Sequence, residues 1–536
     1  MKREFAMLLG GWLALAAFLF VRGWENLAAP GLYYDEAIFA GLAKDFLAGQ
    51  TIGHHMPGAE VVQLFGRPFP IFVQPYLGAF KCWLLIPAFK IFGPTLAAMR
   101  GENLCLGAMA LLLGMSWVWR LLGLAEALVA GLLLATDPAF FFGGALDWGS
   151  MLPGLLCRLG GFFLALIAWR RQNAMLALAA GVAFGLGIFN KIDSSVVMGG
   201  ALLAAVYAGG RSIGPVFRTR PAVFLAALLG FLMGAGFSLG SLSAILRTIY
   251  LQSGLLNPSE YPEKISTLGA MYDGSYFYRL MAAGGRFDKL HLAAAPVWTP
   301  FGIVVFMAAL ALVVDIGFTR TENPARRAKT FLLVSASLIT LGVLVLPGAV
   351  RIHHATLVYP LPHVVIAAGV MTAWRRRKEN TLWHKTAKGL ATGAVMLVVA
   401  SNCVAVQRTE RLIRDTGGRG WWNNALMQFA AENKTRPDVT IASLDWGFNE
   451  QLEFLTHGPR LAEPFWLAAF GLKPDLPRDA RYIYLVHPPE YSLSPVGTQF
   501  MASLAGEGTN AVVQAWRDGQ AEVAFYSISF LTKQAH

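Results

Sequence analysis

Charge is scarce in this chain. Only 14% of its 536 residues are Asp, Glu, Lys or Arg, against 55% that are hydrophobic, and the mean hydropathy is +0.50. Soluble domains carry about a quarter of their residues charged, so the composition excludes a soluble enzyme and points to a polytopic membrane protein. Cysteine is scarce too. Cys82, Cys105, Cys157 and Cys403 lie far apart in apolar runs, which argues against a disulfide framework and a cysteine-held metal. The chain has no Walker sequence, no glycine-rich dinucleotide loop and no His-Glu-x-x-His pair, so nucleotide-phosphate cradles and zinc-protease chemistry have no carrier. It also lacks an internal repeat and a low-complexity linker. A net charge of +12 would suggest nucleic acid in a soluble protein. Here the basic residues cluster in short loops between apolar runs, and the positive-inside rule accounts for them without a nucleic-acid partner.

What is present is a succession of apolar runs. The first, Phe5 to Val21, follows Met1-Lys2-Arg3 and precedes Arg22-Gly23-Trp24-Glu25 rather than a small-residue cleavage site, so it reads as a retained span. Further runs at 71–92, 96–118, 121–135, 151–169, 174–189, 196–209, 222–246, 297–318, 331–346, 355–374 and 389–406 bring the total to about twelve candidate spans. Glycine-rich tracts inside them read as close helix packing. The loops at Arg170–Arg171, 211–220, 320–329 and 375–385 are basic and alternate with those at Asp147, Lys191–Asp193, 247–296 and Arg351–His354. The positive-inside rule therefore places the second set on the outer side, together with Asp35 and the C-terminal tail. Parity demands an even number of crossings between Asp35 and Asp147, yet three runs lie there; the run at 71–92, which contains Pro75, Lys81, Pro87 and Lys90, is the weakest of them.

Two long outer loops, 22–71 and 247–296, interrupt a membrane domain over 1–407. Residues 408–536 change character. A helix over Trp421–Asn433, short β-rich runs at Val439–Leu444 and Arg481–Val486, and a hairpin of Val512–Trp516 with Glu522–Ile528 around Asp518-Gly519 predict a small α/β domain on the outer face.

The chemistry concentrates in Gly31-Leu32-Tyr33-Tyr34-Asp35-Glu36-Ala37, shortly after the first span. From Glu36 to Gly49 the pattern predicts an amphipathic helix lying in the membrane interface, with Ile38, Leu42 and Phe46 on one side and Lys44 and Asp45 on the other. Asp35 reads either as the N-cap of that helix or as a reactive carboxylate. Asp35, Glu36 and Asp147 share the outer side. A carboxylate there can act as general base toward an acceptor hydroxyl or amine. Two or three can hold a divalent metal ion through oxygen, which makes Asp35 and Asp147 the candidate ligands. Lys81, Lys191 and Arg351, the last beside His353 and His354, are the cations available to a lipid-linked phosphate. His54 and His55 form a second, isolated histidine pair.

These residues resemble the GT-C membrane glycosyltransferases, in the branch of the protein O-mannosyltransferases and the lipid A aminoarabinose transferase. Tyr34-Asp35-Glu36-Ala37 resembles the family's Asp-Glu motif in its first external loop. Gln74-Pro75-Tyr76-Leu77-Gly78 with Lys81 resembles the His-Pro-Pro-Leu-Gly-Lys stretch, with the His and second Pro replaced and the Lys displaced. Arg100 resembles the arginine opening the next span, Asp147 the aspartate of the second external loop, and Arg351 to Pro362 the late His-Tyr-x-x-Pro-x-x-Pro region. The resemblance implies a polyprenyl-phosphate sugar donor and an inverting transfer to a glycan, lipid or protein acceptor on the periplasmic face of a bacterial inner membrane. It implies Asp35 as base, Glu36 and Asp147 orienting the acceptor or holding a metal, and Lys81, Arg351, His353 and His354 at the donor phosphate. Two other classes fit about twelve spans: a transporter or flippase of an envelope precursor, and a non-catalytic assembly protein that uses the tail as a binding module. The missing repeat and the long outer loops weigh against a transporter.

Overall fold

The computed structural model describes residues 2–51, 58–210, 219–253, 258–319, 323–348, 350–375, 382–505 and 510–531. His54 and His55 lie outside these ranges, as do Arg211, Arg218, Arg320 and Arg376 to Lys378 of the basic loops.

Among the described residues, eight helices are long and apolar enough to cross a membrane. They include α1 (Lys2–Gly23), which runs on into a short 3-10 turn. A bent pair of helices makes a ninth candidate. α5 (Leu124–Thr136) and α6 (Pro138–Ala145) meet at an angle of 64°. The break has a local cause. Asp137 accepts the Phe140 N–H at 2.9 Å and Pro138 opens the new helix, so the sequence ends one helix and caps the next at the same residue. Two shorter apolar helices, Ala174–Asn190 and Ser194–Gly209, complete the bundle. These helices take up all the apolar runs except 71–92.

That run forms different structure. β1 (Glu60–Leu64) and β2 (Arg67–Gln74) form an antiparallel hairpin, and the two-residue β3 (Leu77–Gly78) adds to its other edge. The turn residues Phe65 and Gly66 both have positive φ, 53° and 72°, as a tight primed turn requires. α3 (Phe80–Phe92) then has only 13 residues. At 1.5 Å per residue it spans about 20 Å, short of a hydrocarbon core of about 30 Å. Between Asp35 and Asp147, α4 (Leu96–Leu121) is long and apolar enough to cross, and counting the bent pair α5–α6 as one span gives the even number that the charge alternation requires.

Glycine sets one tight contact in the bundle. Gly181 and Gly185 of α8 (Ala174–Asn190) face Gly230 and Gly234 of the helix Pro221–Gly240. A Cβ at Gly181 would lie 2.1 Å from the Ala227 carbonyl oxygen, and one at Gly230 2.1 Å from that of Leu178. Only two small-xxx-small stripes let these backbones meet.

The C-terminal segment carries a five-stranded sheet in the order β5-β4-β6-β8-β7. β4 (Thr440–Ser443), β5 (Arg460–Ala462) and β6 (Tyr482–Val486) are parallel, and β7 (Ala511–Arg517) and β8 (Val523–Phe530) form the antiparallel hairpin about Asp518-Gly519. β5 gave no strand signal in the sequence.

α2 (Tyr34–Ala48) departs from the expected interfacial helix. Lys44 and Asp45, assigned to its polar side, are each 3% exposed. Lys44 Nζ donates to the carbonyls of Glu453, Phe454 and Thr456 at 2.7, 2.7 and 3.0 Å, which docks α2 onto the C-terminal segment. The other face packs on α3 through Ala40, Ala43, Cys82 and Leu85. The helix is an internal beam, not a float. Lys44→Met leaves three carbonyls without their donor, so a loss of about 1–3 kcal/mol is expected, read as a lower midpoint of thermal unfolding. An unchanged midpoint would remove this docking from the stabilising contacts.

Candidate functional site

A cavity of about 680 Å³ opens at the end of the bundle opposite Arg170, Arg171 and Arg375. Its wall draws on segments far apart in the chain, among them Asp35 from α2, Tyr76 beside β3, Lys191 and Asp193 between α8 and α9 (Ser194–Gly209), Arg351, and Trp446 from the C-terminal segment. The alternation of loop charges thus identified a real spatial cluster.

Asp35 is the second residue of α2, where unpaired backbone N–H groups and the helix dipole favour a carboxylate. It is not the cap. Tyr33 holds the N-cap position, and its N–H donates to Glu36 Oε2 at 2.8 Å. The Asp35 carboxylate is thereby left to the cavity. Among the described residues its Oδ2 has no hydrogen-bond partner, and Arg351 Nη1 stands 3.8 Å away. Burial raises its pKa above 3.8, against the opposing pull of Arg351 and Lys191.

Glu36 faces the other way. Arg100 of α4 grips it with Nε to Oε1 and Nη2 to Oε2, both 2.8 Å, and gives its remaining donors to the carbonyls of Asn26, Pro30 and Gly31 at 2.9, 2.9 and 3.0 Å. Glu36 Oε1 also accepts the Asp147 N–H at 3.1 Å. Both side chains are sealed from solvent, Arg100 at 0% and Glu36 at 1% exposure. This fork ties the loop after α1 to α4 and to the loop between α6 and α7 (Met151–Arg171), and so aims Asp35.

Lys81 and Asp147 lie off the cavity wall. They pair with each other at 3.0 Å, both with fully buried side chains, and Lys81 also binds Glu102 and, at 3.3 Å, Asn103 Oδ1. Burial pushes Asp147 up to about 7 in spite of Lys81. Asn103 in turn donates to the carbonyls of Gly143, Gly144 and Leu146, so the cluster staples the end of α6 beneath Trp148. In this geometry Lys81 is engaged by protein carboxylates and does not reach into the cavity.

On the opposite wall Asp193 anchors a chain. Lys191 Nζ lies 3.3 Å from its Oδ2, His354 Nδ1 lies 3.1 Å from the same oxygen, and His353 Nε2 lies 3.0 Å from His354 Nε2. Burial alone would raise the Asp193 pKa, but Lys191 and His354 hold it at about 2. Arg351 stacks on Phe287 at 4.3 Å. Trp421, Trp446 and Tyr34 form an aromatic corner, with ring centroids 4.5 and 4.4 Å apart along that series.

Among the described residues no group of three or more His, Cys, Asp or Glu gathers as metal ligands. Asp35 and Asp147 each face a cation, Arg351 or Lys81, at 3.8 and 3.0 Å. That donor set does not fit a divalent ion.

No family model matches the chain, and no curated protein matches it in sequence. Solved structures do match. ArnT from Cupriavidus metallidurans bound to undecaprenyl phosphate aligns over 97% of this chain and 98% of its own, with a TM-score of 0.58 and 13% identity. The apo form of the same protein covers the same shares at 0.54 and 15% identity. The oligosaccharyltransferase of Archaeoglobus fulgidus in complex with Zn and sulfate aligns over 85% of this chain and 62% of its own, at 0.54 and 13% identity. The chain has the GT-C membrane glycosyltransferase fold.

The cavity lies at one end of the bundle, and most of its lining is spread through the sequence. Asp35, Arg351, His353 and His354, which stand out in the sequence, all line it. Lys191 reads there only as one cation among several, and Asp193, Tyr76, Trp421 and Trp446 are passed over. A signal for Asp193 existed. Lys191-Ile192-Asp193 puts opposite charges two residues apart at the junction of two spans, where ionisable groups are costly without a purpose.

Proposed function

We propose that this protein is a glycosyltransferase that moves a sugar from a polyprenyl-phosphate donor to an acceptor at the outer face of a bacterial inner membrane, with inversion at the anomeric carbon. One observation carries the reading: a carboxylate oxygen with no hydrogen bond among the described residues, Asp35 Oδ2, shares one cavity with Arg351 and Lys191. Asp35 takes the proton of the acceptor hydroxyl or amine as it attacks the anomeric carbon. The bond from that carbon to the phosphate oxygen breaks, and the phosphate leaves with its electron pair between Arg351 and Lys191. The similarity in fold to a protein bound to undecaprenyl phosphate supports this class of donor. Glu36, Arg100, Lys81 and Asp147 hold the loops that carry the reacting groups. The Trp421–Trp446 corner gives the acceptor a surface on the C-terminal segment.

The test uses purified protein in lipid, undecaprenyl phosphate, and a panel of undecaprenyl-phosphate sugars. The expected result is thermal stabilisation by undecaprenyl phosphate, about 2.7 kcal/mol at a hundredfold excess over Kd, and release of undecaprenyl phosphate from one of the sugar donors. If no polyprenyl compound stabilises the protein, the reading fails and transport assays follow. A pH prediction accompanies it. Asp35 must be ionised to act, and its raised pKa places the acid limb of kcat above 3.8. Arg351 holds that pKa down, so Arg351→Ala should move the limb to higher pH; a limb that stays in place removes Asp35 as its source.

A further inference from the structure

The histidine pair was expected at the donor phosphate, and its wiring argues for another use. Ionised Asp193 can only accept, so the contact at 3.1 Å assigns a proton to His354 Nδ1. Two cations, Lys191 and Arg351, line the same cavity and disfavour a second proton on that ring. His354 Nε2 is then a lone pair. The 3.0 Å contact between the two Nε2 atoms is a hydrogen bond only if His353 donates it. A neutral imidazole carries one N–H, so His353 Nδ1 is left as an acceptor. The assignment follows from the hydrogen-bond network, as a tautomer must. The carboxylate fixes the first ring and the first ring fixes the second, as outer carboxylates fix histidines at metal centres.

An acceptor is the wrong group for a phosphate oxygen, which carries lone pairs of its own. It is the right group for an O–H or N–H. His353 lines the cavity beside Lys191 and Arg351, next to the place where the phosphate would sit, and the group bonded to that phosphate is the sugar. We propose that the Asp193–His354–His353 chain presents His353 Nδ1 to the cavity as a hydrogen-bond acceptor for a hydroxyl or amine of the sugar being transferred. The proposal rests on the glycosyltransferase reading for its ligand but not for its wiring. His353 touches the sugar; Asp193 and His354 are positioning residues that set its tautomer. The chain also separates duties along one wall, with charge reserved for the phosphate and a neutral lone pair for the sugar.

Two measurements on the full-length protein in lipid test it. The first is nitrogen-15 NMR of histidine-labelled protein, with the His353 signals identified by their loss in His353→Gln. The expected result is a neutral ring protonated at Nε2 in the wild type and a mixture of tautomers in Asp193→Asn. A His353 that is protonated at Nδ1, or charged at neutral pH, overturns the proposal without touching the glycosyltransferase reading. The second compares binding of undecaprenyl phosphate with that of the same lipid carrying mannose or aminoarabinose. His353→Phe should weaken the preferred sugar-bearing lipid about tenfold and leave undecaprenyl phosphate unchanged, as one lost hydrogen bond predicts. Equal weakening of both lipids would return His353 to the phosphate and overturn the proposal. Wild type that binds neither lipid fails the glycosyltransferase reading and, with it, the assignment of the sugar as ligand, while the NMR arm still decides the wiring.

Discussion

Asp35→Asn is expected to slow sugar transfer about a hundredfold to ten-thousandfold at saturating donor, the usual contribution of a general base. Asn keeps the shape of the side chain and its place in the first turn of α2, so the cavity keeps its form. It cannot take a proton. Arg351, 3.8 Å away, loses its counter-charge and should hold the lipid phosphate at least as well as before. The expected pattern is therefore a collapse in kcat with an unchanged or lower Kd for undecaprenyl phosphate, measured by turnover and by thermal shift on the same preparation. A variant that keeps most of its rate moves the base elsewhere in the cavity. One that loses binding and rate together makes Asp35 a ligand contact instead.

The second large effect concerns folding. Arg100→Met should destabilise the protein by about 3–5 kcal/mol, the range for breaking a buried ion pair from one side. The stranded Glu36 carboxylate would be sealed from water, and the carbonyls of Asn26, Pro30 and Gly31 would lose their donor with it. The double variant Glu36→Gln with Arg100→Met removes the stranded charge and should recover part of the loss. The readout is the midpoint of thermal or denaturant unfolding in lipid for the two single variants and the double. Additive losses would show that the pair is not coupled, which two hydrogen bonds at 2.8 Å make untenable.

Composition made the helical bundle legible, because long apolar runs follow from transfer into lipid, and the alternation of loop charge separated its two ends. Failures came where partners are remote. Lys44 read as a solvated residue because its acceptors arrive 409 to 412 residues later in the chain. The pairing of Asp193 with His354 spans 161 residues. The run at 71–92 looked like a span because hydropathy counts side chains and not hydrogen bonds; its first part pairs as strands, and only 13 residues of helix follow. Lys81 was placed at the phosphate by its position after the Gln74–Gly78 stretch, but Glu102 and Asp147 claim it first. Asp35 and Arg351 were found because charge at the ends of spans stands out against an apolar background.

The wall of the cavity has an order in time. Asp35 leaves the ribosome before Arg351, and Arg351 before Trp446 and Leu493. α2 rests on carbonyls that belong to residues 453–456, so its polar face has no seat until then. Each intermediate threaded into the bilayer is therefore a chain without a complete cavity. The cavity is complete only when the segment that carries Trp446 and Leu493 closes over α2.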